Sequence, residues 1–399
     1  MVNELANLGI VTPLGYGHAP TALRDLAVAS ERRGLTGIQV GENANTEVFS
    51  LVAAMAAATS RIRLETAVIA ALTRSPALLA MGGATLAHLS SGRFVLGLGA
   101  GSPVVAGWHG REFPARPRTA LVQTVGDVRA ALAGERLPGW DGFRLTGIKP
   151  RPEVRIFMSA MSERMLRAAA ITADGVVVNF CSAEQASRLV PVVRSARAAA
   201  GRTTPFEFVV NVWAQAGTDV EQAERRLRWE IAPYMAVPTY RTAAVAIAGE
   251  DAVDRAAAVW RTGGRAAAAP AVPQQLIDAL LVHGGAADFA RRLAAFGAAG
   301  VDAVRFVPLT SLGGGIDAAH DVIDVLGELG PAGSGARPGL QQGPQRLSYL
   351  RRRGAVHVED GHARLPRRAC GRHPGRCPIR LRSPGTSRSG SSRLPSALW

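Results

Sequence analysis

Between residues 5 and 330 the chain alternates short β-rich runs with longer helical patterns, and this alternation constrains the fold more than any other feature. Residues 5–11 read as a strand. Residues 21–33 carry apolar residues at helical spacing (Leu23, Leu26, Ala27, with Ser30 on the same face) and stop at Gly34, and residues 35–40 form the next strand. The pattern continues with helix 48–59, strand 62–69, helix 77–89 and strand 94–98. Strand 154–158, helix 165–172, strand 175–179, helix 184–200, strand 206–214 and a long helix from Val220 follow; helix 289–299 and strand 301–307 close the series. Eight apolar strands, nearly all preceded by helices, imply a parallel sheet covered by helices. Eight such units in about 330 residues fit an α/β fold of the closed (β/α)8 TIM-barrel kind; an open doubly wound sheet is the alternative. Gly34 before strand 35–40 and Gly300 before strand 301–307 occupy matching junctions, where glycine can take the left-handed conformation that ends a helix.

Two stretches break the alternation. Residues 100–118 read as a long Gly/Pro/Arg-rich loop after the fourth strand, and residues 236–285 as an irregular Pro/Ala-rich insertion around several short helical patterns after the seventh. Excursions at the C-terminal ends of barrel strands are where substrate lids sit.

The formal net charge of +15 suggests an anionic partner until its location is considered. Residues 331–399 hold 14 basic residues against Glu359 and Asp360, so +12 belongs to this segment and only +3 to residues 1–330. The chain therefore divides into a nearly balanced domain, 1–330, and an Arg/Gly/Pro/Ser-rich tail, 331–399, whose composition predicts disorder. Nucleic-acid binding through that tail is the functional reading of a different class; it predicts steep salt dependence. His357, His362, Cys370, His373 and Cys377 match no compact zinc spacing, so no metal site is expected. Cys181 is the single thiol of the main domain, in keeping with a reducing compartment. No run reaches the roughly 18 apolar residues of a membrane span, and the N-terminus has no basic and apolar leader pattern. The expectation is a cytoplasmic protein without a membrane.

The sharpest local motif is Gly92-Arg93-Phe94-Val95-Leu96-Gly97-Leu98-Gly99-Ala100-Gly101-Ser102, a strand running into three alternating glycines. Backbone amides free of side chains can converge on a phosphate, with Ser102 adding a hydroxyl. The same glycines can instead allow close strand packing. A dinucleotide fingerprint is excluded by context, because Gly would be needed at position 102.

Three segments together carry a resemblance. Thr59-Ser60-Arg61-Ile62-Arg63-Leu64-Glu65-Thr66-Ala67-Val68, Arg74-Ser75-Pro76 and Leu89-Ser90-Ser91-Gly92-Arg93-Phe94-Val95-Leu96-Gly97-Leu98-Gly99 resemble the bacterial luciferase-like superfamily. Gly107-Trp108-His109-Gly110 and Ala173-Asp174-Gly175-Val176-Val177-Val178-Asn179 are similar to its coenzyme F420-dependent, methylenetetrahydromethanopterin reductase-like branch. The resemblance implies a (β/α)8 barrel with an insertion and hydride transfer between coenzyme F420 and a small organic substrate; FMN-dependent monooxygenation is the alternative. It places a non-prolyl cis peptide at Ala67-Val68 behind the ring, a phosphate loop at Gly99, Ala100, Gly101 and Ser102, and a second phosphate-side segment at Ser159, Ala160, Met161 and Ser162. Asn179 would face the ring or substrate, and a homodimer is implied. Ser162 would also serve as a helix N-cap without any ligand.

Where related enzymes carry an acid-His pair after the second strand, this chain has Glu42 and Asn43, and Asn cannot titrate. Glu65 stands where Gly is common, with no role evident from sequence. Candidates for proton transfer are Glu42 and His109, a histidine having the right intrinsic range near neutral pH. His18 is a weaker candidate.

Overall fold

A computed structural model describes residues 7–13, 17–42 and 44–329. Asn43 and the segment 331–399 lie outside the described residues. Ten strands follow in chain order: β1 (Leu8–Val11), β2 (Gly37–Val40), β3 (Arg63–Thr66), β4 (Ile69–Ala70), β5 (Phe94–Gly99), β6 (Arg155–Ser159), β7 (Gly175–Val178), β8 (Glu207–Ala216), β9 (Leu281–Gly284) and β10 (Ala303–Pro308). The ring runs β1-β2-β3-β5-β6-β7-β8-β10, and β10 pairs with both β8 and β1, so the sheet closes. It is an eight-stranded parallel TIM barrel, and the open sheet is excluded. All eight strands expected from the sequence are the ring strands.

Each ring strand buries one face against the helices and the other in the barrel, as two-residue alternation requires. Outward residues such as Ile38, Leu64, Leu96, Met158, Val176 and Val210 join the shell core beneath the helices. Inward residues Val95, Phe157, Val177, Val209 and Ala303 form a smaller cluster inside. Helices Pro20–Arg32 and Ala286–Ala298 stop as anticipated. Gly34 and Gly300 both have φ of +81°, and the next amide reaches back five residues, Leu35 to Ser30 and Val301 to Phe296.

Three expectations are corrected. Residues 100–118 are not one loop: Ser102 caps a short helix, Pro103–Trp108, and helix Pro117–Leu132 follows. Pro at the first helical position is favoured because its missing N–H would be unpaired there anyway. The helical patterns expected in 236–285 are longer than the irregular reading allowed, Pro238–Ala248, Glu250–Ala268 and Gln274–Leu280, and they precede a strand, β9, that pairs with the end of β8 off the ring. Strand 62–69 is interrupted. Pairing of β3 with β5 ends at Glu65↔Val95 and resumes as β4 at Ile69↔Leu98. Four steps on one side face three on the other, a bulge.

Below the mouth, the barrel interior is charged. Arg305, fully buried, donates to Glu65 at 2.6 Å and to the side chain of Asn7 at 2.9 Å. Glu65 also accepts from Arg63 (2.5 Å) and Gln39 (2.8 Å), while Glu207 pairs with Arg63 and Arg155. Gly9 and Gly37 make room, since a Cβ at either would collide with the Arg305 side chain. Glu65, without a role in the sequence, is thus half of an internal ion pair.

Candidate active site at the barrel mouth

The C-terminal strand ends converge at one mouth, and most of the residues singled out by sequence lie there. At the end of β3, the Ala67-Val68 peptide is cis. The Thr66 hydroxyl accepts from the Gly97 amide at 2.7 Å and donates to the Gly97 carbonyl at 3.0 Å, bridging the bulge. A Cβ on Gly99 would lie 2.6 Å from Val68 Cγ2 and 2.7 Å from Ser159 Oγ. Gly97 and Gly99 therefore let Val68 and Ser159 pack against backbone. This answers the question left open by the glycine motif for these two residues: close packing requires them.

The other two glycine-motif positions differ. Gly101 turns with φ of +75°, and Ser102 Oγ accepts from Val105 N at 3.3 Å. Ser162 Oγ likewise accepts from Met165 N at 3.4 Å as cap of helix Glu163–Thr172. A hydroxyl that accepts in this way keeps its own O–H to donate. In the same two segments Ala100, Ser159 and Met161 are half-buried and Ala160 is buried.

Glu42 is held. Both carboxylate oxygens accept from Arg74, at 2.5 and 2.7 Å, and one also takes the Val48 amide at 3.2 Å. Arg74 reaches Glu47 as well, at 3.3 Å. His109 sits exposed at the end of helix Pro103–Trp108, on the same barrel face. His18 Nε2 lies 3.5 Å from Thr310 Oγ1, and burial pushes its pKa down. Among the described residues no hydrogen bond or ion pair joins His109 to Glu42.

Asn211 and a group of aromatic residues, which the sequence did not single out, complete the mouth beside Ser159 and Asn179. The alternation that turns Phe157, Val177 and Val209 inward continues to Ser159, Asn179 and Asn211. Asn211 is 6% exposed, and among the described residues its buried acceptor Oδ1 meets no donor. Asn179 Oδ1 accepts from Phe180 N, and the Asn179 side chain bonds Tyr240, whose hydroxyl is pushed up by burial. Phe180, at φ of 50°, stacks edge-on with Trp213, Tyr234 and Tyr240, at centroid distances of 5.0, 5.4 and 5.1 Å. This aromatic wall ties the ends of β7 and β8 to the insertion. Cys181 is buried and its thiol is pushed up to about 12, so it is unsuited to act as a nucleophile.

The profile of the luciferase-like monooxygenase family matches residues 8–303. A Mycobacterium tuberculosis protein provisionally named a coenzyme F420-dependent oxidoreductase is 29% identical over 74% of this chain and 94% of its own length. The coenzyme F420-dependent tetrahydromethanopterin reductase of Methanopyrus kandleri superposes with a TM-score of 0.68 at 20% identity, covering 80% of this chain and 98% of its own. The oxygenating constituent of 3,6-diketocamphane monooxygenase from Pseudomonas putida, in complex with FMN, superposes at 0.58 and 17% identity over 82% and 97%. The two structural likenesses bear on the fold alone.

Proposed function

This chain belongs to the luciferase-like monooxygenase family, and from that membership we propose that it is an oxidoreductase moving a hydride between coenzyme F420 and a small organic substrate. The observation that carries the reading is the backbone wall at the end of β3, where Thr66 and Val68 of the bulge pack directly against Gly97 and Gly99. Two further features fit a flat, phosphate-bearing heterocycle. The unpaired Asn211 acceptor suits a ring N–H, and the Ser102 and Ser162 hydroxyls retain protons for phosphate oxygens. When bound, F420 supplies a two-electron carrier of low reactivity toward oxygen.

The protein's own residues then have distinct tasks. Val68, Gly99 and Ser159 position the ring, and Asn179, braced by Tyr240, orders the opposite side of the mouth. The aromatic wall around Phe180 excludes water, which strengthens every polar contact inside. Glu42, engaged on both oxygens, fixes the segment after β2 against Arg74. His109, exposed and at the same face, is the proton donor in this reading. Asn43, outside the described residues, is assigned no proton transfer.

A second reading, FMN-dependent monooxygenation, is favoured by the family's description. Anaerobic titration of the full chain with each cofactor separates the two. F420 binding without oxygen uptake is expected, whereas tight FMN binding with oxygen uptake would overturn the assignment. His109→Ala should lower turnover by about 10²–10⁴-fold at unchanged cofactor affinity, and an unaltered rate would remove it as donor.

A homodimer belongs to the same reading. Leu78 and Met81 on helix Pro76–Leu89 are 49% and 48% exposed, an apolar face that a second copy would cover. Sedimentation of Leu78→Asp/Met81→Asp should show monomers where the parent shows dimers; a monomeric parent rejects this. The catalytic domain is taken as 1–330, and nucleic-acid binding by 331–399 is not part of the activity. Among the described residues no helix is long and apolar enough to cross a membrane. A cytoplasmic location belongs to the same proposal.

A further inference from the structure

A cavity of about 190 Å³, lined by none of the residues assigned above, lies between the end of β8, helix Val220–Ile231 and the start of helix Asp317–Glu328. Its buried side is set by Arg226, 7% exposed. One guanidinium nitrogen donates to Gln215 Oε1 at 3.0 Å, while the buried Nε has no partner. Among the described residues no carboxylate forms an ion pair with Arg226. A buried guanidinium without an ion-pair partner is costly unless something supplies an anion; burial and then neighbouring Arg225 push its pKa down, against the pull of Asp219. Gly314 is required beside it, because a Cβ there would lie 3.1 Å from the guanidinium carbon and 2.9 Å from the Leu309 carbonyl. The mouth of the cavity has the opposite sign: Asp317 and Asp321, one helical turn apart, line it and are exposed. The place is one that barrel folds often use for anions, between the loops after the seventh and eighth ring strands.

A bare anion would meet two carboxylates at the rim, and a bare cation would meet a guanidinium at the floor. We propose that this cavity binds a small zwitterion of the free amino-acid class, its oxyanion on Arg226 and its ammonium group at Asp317 and Asp321. The Gln215 amide, itself held to Gln222 at 3.2 Å, fixes the guanidinium that meets the oxyanion. The site is separate from the hydride-transfer reading and stands or falls without it.

Calorimetric titration of the full chain with L-alanine, propionate, ethylamine and inorganic phosphate tests the proposal. L-alanine should bind, with propionate and ethylamine each weaker by about tenfold or more. Arg226→Gln should weaken L-alanine and propionate alike. Since that change could disturb packing, the exposed pair Asp317→Asn/Asp321→Asn provides the second arm: it should weaken L-alanine about tenfold and leave propionate unchanged. No binding of L-alanine up to about 10 mM, affinity unaltered in the aspartate variant, or phosphate binding as tightly as L-alanine in parent and aspartate variant alike would each overturn the zwitterion site.

Discussion

Arg305→Met should lower the unfolding free energy by about 3–5 kcal/mol, the range for breaking a buried ion pair from one side. The guanidinium is fully buried and bonds Glu65, the Asn7 side chain and the carbonyls of Asn7 and Val304, so its loss leaves four acceptors short of a donor. Glu65 keeps Arg63 and Gln39, which prevents complete isolation of the charge but not the loss. Removing both charges with Glu65→Leu/Arg305→Met should cost clearly less than the sum of the single variants, because no carboxylate then remains unpaired by Arg305. Denaturant titration of the four proteins measures the coupling, and a single variant within about 0.5 kcal/mol of the parent would contradict it. The same pair sets an acid response. Burial alone would push the Glu65 carboxyl up, but Arg305 and then Arg63 outweigh it and hold it at about 2. The folded pKa therefore lies below the ordinary value of 4.5. Its stabilisation is complete above the ordinary value and is lost as pH falls from there toward about 2. The double variant should show a shallower stability decline across that window.

What the sequence disclosed and what it concealed follow from the range of the interactions. The ring strands were legible because each is a continuous apolar run bounded by its own turn signals, and Gly34 and Gly300 mark helix ends through purely local backbone geometry. Helix Pro103–Trp108 was also locally encoded, by Ser102 before Pro103, yet the density of Gly and Pro around it reads as loop. The cis peptide came through family resemblance; no local pattern of Thr-Ala-Val dictates it. Glu65 could not be assigned because its partner Arg305 is 240 residues away. The same separation in sequence hid Asn211 and Tyr240, whose positions at the mouth depend on barrel closure and on the insertion folding back over β7. Glu42 shows a subtler limit. Its place after β2 was correct, but Arg74, which occupies both of its oxygens, arrives from beyond the bulge, and only the fold reveals that Glu42 is held as an ion pair.

Gly97→Ala should be severely damaging for the addition of a single methyl. Its Cβ would lie 1.9 Å from the Thr66 carbonyl oxygen and 3.0 Å from the carbonyl carbon, so backbone rather than a flexible side chain must move. Movement of Thr66 also breaks the two hydrogen bonds through which its hydroxyl spans the bulge, and it displaces Val68, which packs against Gly99. Overpacking typically costs about 1–3 kcal/mol where neighbours can adjust; here about 3 kcal/mol or more is expected, with F420 affinity down by about 10²-fold or beyond. Gly83→Ala is the matched control. That residue sits within helix Pro76–Leu89, and its Cβ would meet Leu96 and Leu132 at ordinary distances of 3.5 and 3.7 Å. Alanine is favoured over glycine in a helix by roughly 0.5–1 kcal/mol, so this variant should match or exceed the parent. Thermal denaturation and F420 titration of both variants separate the effects. If Gly97→Ala were as stable and bound as well as Gly83→Ala, the bulge would not depend on the missing side chain, and the wall assigned to the cofactor would lose its physical basis.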